Sequence, residues 1–326
     1  MKQLLTLIIL IVFVNCISHS DIQFQINENS RPCYGKDYNT ILFSAIVNNK
    51  NRIILYNKNK DQYKAFNRLT TNNYEPIFSY NYKKIAFVQT NKEKTYSEIY
   101  VMNSDGSNIL QVTKARQHSR TPFFSPDGKK IYFIRTMVSG STQVRTGFWL
   151  YSINIDGTGE KRVSKPYYYI YNPVCSPNGK YIFYTHDYKS SKYNHDMQKL
   201  VKLDLETNNL KVILDETVYL RATISRNGKK IIYCASNSTY DMQREKNPLL
   251  DRLPEIHGIY SADINGSNSQ LLYKLGFVND ITTSSDSKKY MFYFSPSSIM
   301  EINSDGTNFH KIDIDKDKIL ALFKNS

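Results

Sequence analysis

The 326-residue sequence contains few cysteines and a single tryptophan. Of the four cysteines, Cys16 ends an N-terminal apolar run, which leaves Cys33, Cys175 and Cys234. Three cysteines cannot all pair, so a framework in which every cysteine is bridged is excluded. Each lies in a strand-like stretch, where a free thiol acts as a small buried apolar side chain. The alternative is one bridge between Cys175 and Cys234.

Several catalytic motifs are missing. The sequence has no Gly-x-Ser-x-Gly elbow and no phosphate-binding glycine loop, so serine hydrolases and nucleotidases lack their machinery. It has no His-x-His or His-Glu-x-x-His pair for a metal. The stretch "NIDGTGE" (154–160) contains an Asp-Gly turn but is too short for a twelve-residue calcium loop. We therefore expect no cofactor and no bound metal.

Long apolar runs are missing beyond the first residues. The stretch "MKQLLTLIILIVFVNCISHS" (1–20) is apolar from Leu4 to Val14 apart from Thr6, and those residues span about 16 Å as a helix, against about 30 Å for a membrane. This pattern predicts a secretory signal peptide or a lipoprotein leader over residues 1–20, with Cys16 as the lipidation candidate. Ordinary cleavage after Ser20 is the alternative. Both place the single domain 21–326 in the periplasm or outside the cell, with a membrane contact only through a lipid anchor.

Acidic residues are fewer than basic ones, 29 against 43, and the formal net charge is +14. This charge favours an anionic partner such as a glycan, a lipid headgroup or an acidic protein. The lysines are dispersed rather than clustered, however, and abundant Lys, Asn, Ile and Tyr are typical of an AT-rich genome. The charge therefore does not indicate a specific nucleic-acid site.

What the sequence does contain is a repeat. The stretch "TPFFSPDGKKIYFIRT" (121–136) places a turn between two runs of aromatic and β-branched residues, which indicates a β-hairpin. Five further stretches align with it on the position of Ser125, at intervals of 44 to 59 residues. The six marker positions are Gly35, Ser79, Ser125, Ser176, Ser225 and Ser284. A period in the forties is typical of a propeller blade.

Each copy is followed by a second hairpin, such as "EIYVMNSDGSNILQVT" (98–113), closed by Asp-Gly or Asn-Gly. Two hairpins per period predict an all-β fold: a six-bladed β-propeller of four-stranded antiparallel blades, with strands A to D in each. A blade with two apolar faces must pack between neighbours, which predicts a closed ring. Either "DIQFQIN" (21–27) or "KILALF" (318–323) is expected to supply an extra strand that closes it.

The repeat resembles the β-propeller repeats of TolB, the periplasmic component of the Tol-Pal system, and those of dipeptidyl peptidases. The resemblance rests on "PFFSPDGKKI" (122–131) and "IYVMNSDG" (99–106), and it covers about residues 30 to 315. It implies a propeller and a binding role. TolB proteins carry an additional N-terminal domain that the dozen residues before this repeat do not supply, and the peptidases add a hydrolase domain.

In a propeller, the B–C and D–A connections lie on one face and the tight A–B and C–D turns on the other. The longest predicted connections are all of the first kind: 89–97, 136–147, 185–198 and 236–258 as B–C loops, with 114–122 and 165–173 as D–A connections. Loops on a rigid scaffold often form binding sites. The candidate binding residues on this face are Arg116, His118, Arg120, Arg145, Tyr167, Tyr169, Tyr171, His186, Tyr188, Tyr193, His195 and His257.

Tyr and Arg give large contact areas with a polar tip, which suits a protein or an envelope glycan. We therefore predict a monomeric, non-enzymatic binding scaffold. For any single residue the simpler interpretation is structural, because loops are polar and 26 tyrosines are spread along the chain. The alternative function is a metal-dependent lyase of the oligogalacturonate type, since "HSRTPFFSPDG" (118–128) resembles the histidine before a blade in those enzymes.

Overall fold

The computed structural model describes ten stretches of the chain: 24–26, 30–66, 69, 71–139, 144–189, 196–217, 219–236, 257–275, 278–294 and 298–324. These residues form 25 strands and one short helix, α1 (Lys316–Ala321), so the predicted all-β class is confirmed. The predicted leader lies outside the described residues. Within them, no helix is both long and apolar enough to span a membrane.

The strands follow one another in six groups. Group 1 contains β1 (Phe24–Gln25), β2 (Cys33–Tyr34), β3 (Thr40–Val47), β4 (Lys50–Asn57) and β5 (Gln62–Ala65). Group 2 contains β6 (Asn73–Phe78), β7 (Lys84–Thr90), β8 (Ser97–Asn103) and β9 (Leu110–Gln111). Group 3 contains β10 (His118–Phe124), β11 (Lys130–Ser139), β12 (Val144–Asn154) and β13 (Lys161–Arg162).

Groups 4 to 6 repeat the same order. Group 4 contains β14 (Ile170–Cys175), β15 (Tyr181–Lys189), β16 (Asp196–Asp204) and β17 (Leu210–Thr217). Group 5 contains β18 (Tyr219–Ile224), β19 (Lys230–Ser236), β20 (His257–Asp263) and β21 (Gln270–Tyr273). Group 6 contains β22 (Val278–Thr283), β23 (Lys289–Phe294), β24 (Ser298–Asn303) and β25 (His310–Lys311). Consecutive strands pair antiparallel, and one parallel pair, His118 with Ser97, joins groups 2 and 3 into a single sheet.

The recurring serine is explained by the first turn of each group. The Ser125 hydroxyl donates to Asp127 Oδ1 at 2.6 Å and accepts from the Lys130 amide at 2.9 Å. Asp127 also accepts from the Lys129 amide, and Gly128 adopts φ +69°, which favours glycine. The same bonds recur at Ser79, Ser176, Ser225 and Ser284. The repeated sequence therefore encodes a turn rather than a binding site.

Each group packs its apolar side chains against the next. Six buried clusters form, and each draws on two neighbouring groups, including group 6 with group 1. In that last cluster Met291 and Tyr293 lie with Ile41 and Phe43, all nearly or fully buried. The first strands also contact one another in succession, and β22 contacts β2. Since burying one such side chain is worth about 1.5 to 3 kcal/mol, these contacts hold the two ends of the chain together.

The two chain ends differ from one another in structure. Residues 24 and 25 form β1, which pairs with β3 beside β2, so the N-terminal segment adds a strand to the sheet of group 1 and not to that of group 6. The C-terminal "KILALF" does not form a strand, because Asp315 caps α1 by accepting from the amides of Asp317 and Lys318. Ile319 and Phe323 pack the helix onto the cluster between groups 1 and 6.

Two of the predicted B–C loops are shorter than expected. Strands β11 and β12 extend into the predicted range 136–147, and strands β15 and β16 extend into 185–198. Cys33, Cys175 and Cys234 are buried and form no disulfide, so the alternative bridge is wrong. Burial raises the pKa of Cys33 and of Cys234 to about 11, so these thiols stay protonated at neutral pH.

An ionic cluster lies at the junction of groups 6 and 1. The Glu301 carboxylate is 1% exposed and accepts from Lys289 at 2.6 Å, Lys58 at 3.0 Å and the Tyr34 hydroxyl at 2.9 Å. Burial alone would raise the pKa of Glu301, but the bonds from Lys289 and Lys58 outweigh burial and hold that pKa below its usual value. The ionised carboxylate thus links the first and last groups.

We predict that Glu301→Gln lowers the free energy of unfolding by about 3 kcal/mol at pH 7, because two partly buried lysines lose their charge partner. Urea denaturation measures this value. Because the folded-state pKa is lowered, the stabilisation is present above the ordinary glutamate pKa of 4.5 and is lost as the pH falls through the folded-state value. The exposed variant Asp313→Asn is the control, and an equal loss in both variants would contradict the cluster's role.

Candidate functional site

The first strands of four groups are interrupted at the same repeat position. In β6, β10, β14 and β22 the pairing register shifts, and the residue at the shift has a positive φ although it is not glycine. These residues are Glu75 (φ 51°), Thr121 (φ 54°), Asn172 (φ 44°) and Asp280 (φ 53°). A left-handed conformation costs a non-glycine residue about 1 to 3 kcal/mol. Strain repeated at one position points to a function there.

The polar side chains at and beside these shifts meet between groups that are not neighbours. Asn172 of group 4 donates to Asp280 Oδ1 of group 6 at 2.8 Å, and Arg31 of group 1 donates to the Pro122 carbonyl of group 3 at 2.8 Å. Such bonds require the first strands to surround a common axis. We call the following residues the axial cluster: Arg31, Glu75, Arg120, Asn172, Arg221 and Asp280.

A cavity of about 230 Å³ lies against this cluster, and its wall includes Glu75, Arg120, Asn172, Arg221 and Asp280. The polar residues come from the first strands of groups 2 to 6. Its remaining walls include Tyr169, Tyr171 and Asn279. A concave site with several convergent polar groups is the usual form of a ligand site.

The axis is closed on the side of the tight turns. There the Tyr80 hydroxyl donates to the Cys175 carbonyl at 3.0 Å. Arg226 donates to the Tyr80 carbonyl at 2.8 Å, and its guanidinium lies 3.7 Å from the centre of the Tyr80 ring. Tyr80 and Arg226 line a second cavity of about 110 Å³, which shares Asn172 and Asp280 with the first. Because their bonds cross the axis at the tight turns, a ligand would enter from the end that carries the longer connections.

Glu75 is paired in this cluster. Arg120 donates to Glu75 Oε1 at 2.9 Å, and the Thr121 amide donates to Oε2 at 2.5 Å. Burial alone would raise the pKa of Glu75, but the charges of Arg120 and Arg31 and these bonds outweigh burial and lower it. Glu75 is therefore ionised and neutralised. The Arg120 side chain remains 41% exposed because it lines the open cavity.

Asp280 behaves in the opposite way. The pKa of Asp280 is raised to about 6, mainly by burial among the first strands and also by the negative charge of Glu75. The positive charges of Arg31, Arg221 and Arg120 lower it but do not compensate. Asp280 consequently exchanges a proton close to neutral pH, whereas Glu75 stays charged.

Arg221 is held between two aromatic rings. Its guanidinium carbon lies 3.9 Å from the centre of the Tyr171 ring and 4.3 Å from that of Tyr219. Nη1 donates to Gln198 Oε1 at 3.1 Å and to the Leu220 carbonyl at 2.8 Å. Within the described part of the chain, no carboxylate lies at ion-pair distance from Arg221. It is thus a positioned cation at the cavity wall.

A row of tyrosines leads from the surface to Arg221. Tyr168, which is 69% exposed, meets Tyr169 edge to face at 4.8 Å between ring centres, and Tyr169 stacks on Tyr171 at 5.8 Å. Tyr169 also packs against Phe148 at 4.9 Å. The sequence "YYYIY" therefore builds one wall of the entrance, and most of its ring faces are covered by other side chains.

Among the predicted site residues, the structure brings Arg120, Tyr169 and Tyr171 together at the cavity. Tyr167 instead packs on His186, with ring centres 4.1 Å apart. His186 is 4% exposed, its Nδ1 lies 2.9 Å from the Asp187 carbonyl, and burial lowers its pKa. His186 is therefore a neutral core residue.

The other predicted residues lie outside this cavity or outside the description. Arg116 is exposed and its amide donates to Glu98, while His118 begins β10 beside Ser97. The Tyr188 hydroxyl donates to Asp215 Oδ1 at 2.5 Å. Cys16, Tyr193 and His195 lie outside the described residues. Arg145 and His257 lie in described strands, but their side chains are not described.

A histidine metal site finds no support in the part of the chain that is described. No group of three or more His, Cys, Asp or Glu side chains is placed there to hold a metal ion. Two of the four candidate histidines have described side chains. His118 lies at the start of β10, and His186 lies in a buried core.

Five members of the axial cluster were missed from the sequence: Arg31, Glu75, Asn172, Arg221 and Asp280. Arg31, Glu75 and Asn172 each precede a proline of the repeat, at positions 32, 76 and 173. A charged or amide residue at that position, inside a strand that is otherwise apolar, is a signal that could have found them. Asp280 precedes Ile281 in the aligned copy, and Arg221 lies in a strand without the register shift.

The strand order and the common axis define the protein as a β-propeller. A family model described as the TolB beta propeller domain matches residues 24–245. The chain belongs to this TolB β-propeller family.

Individual relatives match shorter stretches. Dipeptidyl-peptidase 5 of Porphyromonas endodontalis is 30% identical over 136 residues, which is 40% of this chain and 18% of the peptidase. The Tol-Pal system protein TolB of a Wolbachia from Culex pipiens is 43% identical over 54 residues, 16% of this chain and 13% of that protein. The chain therefore spans less than a fifth of either relative.

A solved structure matches over most of the chain. The crystal structure of TolB from Acinetobacter baumannii superimposes with a TM-score of 0.62 at 17% identity, covering 83% of this chain and 63% of that one. At this level of identity the likeness establishes the fold alone.

We predict that Asp280→Asn stabilises the protein at pH 7.5 by roughly 1 to 3 kcal/mol, because ionised Asp280 is disfavoured in the folded state. A raised folded-state pKa means that the carboxyl's contribution is favourable below pH 3.8 and is lost as the pH rises through about 6. The difference between variant and parent in urea denaturation should thus disappear near pH 3.8. A difference that is constant with pH, or equal to that of Asp313→Asn, would contradict this assignment.

Proposed function

We propose that this protein is a non-enzymatic binding scaffold: a closed six-bladed propeller that binds a protein or an envelope glycan through the end carrying the B–C and D–A connections. The cavity at the axial cluster is the observation that carries the proposal. It is concave and lined by polar groups, several of them at strained backbone positions, and the axis beyond it is crossed by Tyr80 and Arg226.

The closed ring is supported by the packing of group 6 on group 1 and by the contact of β22 with β2. A closed ring also accounts for the bonds that cross between groups that are not neighbours. Each group then acts as one blade, and the ends of the blades that carry the longer connections form one surface. This arrangement would bring residues from every part of the chain to one entrance.

A binding role agrees better with the cavity than a catalytic one. The Glu75 charge is neutralised by Arg120, and the neutral, buried His186 makes a poor general acid at neutral pH. The strongest feature is a set of fixed donors and rings, which suits recognition. The repeat's resemblance to TolB, the periplasmic component of the Tol-Pal system, and the relative named for that system support a protein as the partner and the periplasm as the location.

The test is partner capture with matched tyrosine variants. Tyr168 lies in a D–A connection, contacts Tyr169 of the cavity wall and is 69% exposed. Tyr38, at 45% exposure, lies in the tight A–B connection at the opposite end. The mature protein is immobilised, and the proteins and glycans that it retains from its own envelope extract are identified and quantified.

We predict that Tyr168→Ala reduces recovery of the main partner at least fivefold, since exposed tyrosines are typical of interface hot spots. Tyr38→Ala should leave recovery unchanged. Equal recovery by both variants and the parent protein would remove the entrance from the binding surface, and a loss confined to Tyr38→Ala would place the surface at the other end.

A further inference from the structure

We infer that the axial cavity binds a carboxylate group of a protein partner, that Arg221 receives this carboxylate, and that Asp280 opposes binding whenever it is ionised. The inference rests on the proposed function, because it names the ligand chemistry of the same entrance. It makes Arg221 the recognition residue and Asp280 a pH-sensitive gate.

The Arg221 guanidinium uses one nitrogen for its hydrogen bonds within the described residues. Both bonds leave from Nη1, toward Gln198 and Leu220. No hydrogen bond from Nε or Nη2 occurs within the described residues. Stacking between Tyr171 and Tyr219 fixes the plane of the group. A fixed guanidinium with free donors along one edge is the arrangement that binds a carboxylate through two parallel hydrogen bonds.

The charges at the cavity wall leave one cation for a ligand. Glu75 and Arg120 neutralise each other as an ion pair, and Arg31 is buried, bonded to the Pro122 carbonyl and absent from the cavity wall, so Arg221 is the cation available to a ligand. A single negative charge matches it. A doubly charged phosphate would be opposed by Glu75 and by ionised Asp280, which both line the cavity. The charge count thus favours a carboxylate.

Asp280 faces charged groups from several elements. These are Arg31 before β2, Glu75 on β6, Arg120 on β10 and Arg221 on β18, while the neutral Asn172 on β14 donates to it. Above a pH of about 6 the ionised carboxyl repels an incoming anion. Below it, Asp280 binds a proton and that repulsion ends. Binding of an anion should therefore strengthen as the pH falls.

The covered aromatic faces of the cavity wall favour a protein ligand over a glycan. Sugars are commonly held by stacking on free aromatic faces, but Tyr169 packs between Phe148 and Tyr171, and Tyr171 is covered by Arg221. With these ring faces covered, the polar side chains of the cavity wall, Arg221 among them, are the groups left to bind a ligand. These groups suit an acidic side chain or a chain terminus that enters along the axis.

The experiment uses the mature protein and four probes: a short neutral peptide with a free C-terminal carboxylate, the same peptide amidated, the amidated peptide with one internal Glu, and digalacturonate. Dissociation constants are measured by NMR titration at pH 5.5 and 7.5. The variants are Arg221→Gln, Arg221→Lys and Asp280→Asn. Arg162→Gln, an exposed arginine on β13 away from the cavity, is the matched control.

We expect a carboxylate peptide to bind at least tenfold tighter than the neutral amide, and about fivefold tighter at pH 5.5 than at pH 7.5. The two carboxylate peptides show whether a terminus or a side chain is preferred. Arg221→Gln should abolish the preference for a carboxylate, and Arg221→Lys should keep part of it. Asp280→Asn should bind at pH 7.5 as tightly as the parent protein at pH 5.5, and Arg162→Gln should match the parent.

Equal binding of all three peptides, or an unchanged preference in Arg221→Gln, would overturn the inference. Binding of digalacturonate alone would overturn the assignment to a protein. Loss of folding in Arg221→Gln is recognised by circular dichroism, and Arg221→Lys then decides the outcome. If a captured partner depends on Tyr168 but not on Arg221, the carboxylate site is wrong and the binding scaffold stands. Partner capture that is independent of Tyr168 contradicts the scaffold instead.

Discussion

The structure depends on the packing of apolar faces between neighbouring strand groups. A four-stranded antiparallel sheet with apolar residues on both faces cannot bury them alone, and each buried cluster here is shared by two groups. The same requirement applies to the ends of the chain, where group 6 must find group 1. Glu301, α1 and β1 all lie at that junction, which is where the chain itself supplies no covalent continuity.

This packing fixes the first strands around an axis, and the axis creates the cavity. Regular strands would direct small or apolar side chains inward, as the rest of the core does. The left-handed residues at the register shifts break that regularity and place Glu75, Asn172 and Asp280 together. The surrounding clusters are extensive enough to hold several strained residues in place. The site is therefore a consequence of strain that the packed faces of neighbouring groups can support.

The sequence predicted the all-β class, the repeat and the turns, because those properties are local. Ser125, Asp127 and Gly128 determine a turn through bonds within five residues of one another. The site could be predicted only in part. Arg120, Tyr169 and Tyr171 were found because they lie beside irregular connections, whereas Asp280 acts through Asn172, 108 residues away. Such a contact depends on the register shifts and on the arrangement of distant groups around a common axis. The spacing of residues in the sequence reveals neither.

Glu75 and Asp280 show how one repeat position can give two chemical behaviours. The two residues occupy the same position of the aligned repeat, in the first strands of groups 2 and 6. Both have left-handed backbones, and both face the axis. Glu75 receives an arginine and a backbone amide from the next group, and its pKa falls. Asp280 receives only a neutral amide from Asn172, and its pKa rises. Because the backbone is equivalent, the difference lies in the partner side chain, so changes at Arg120 or Asn172 would alter the charge of the cavity without altering the fold.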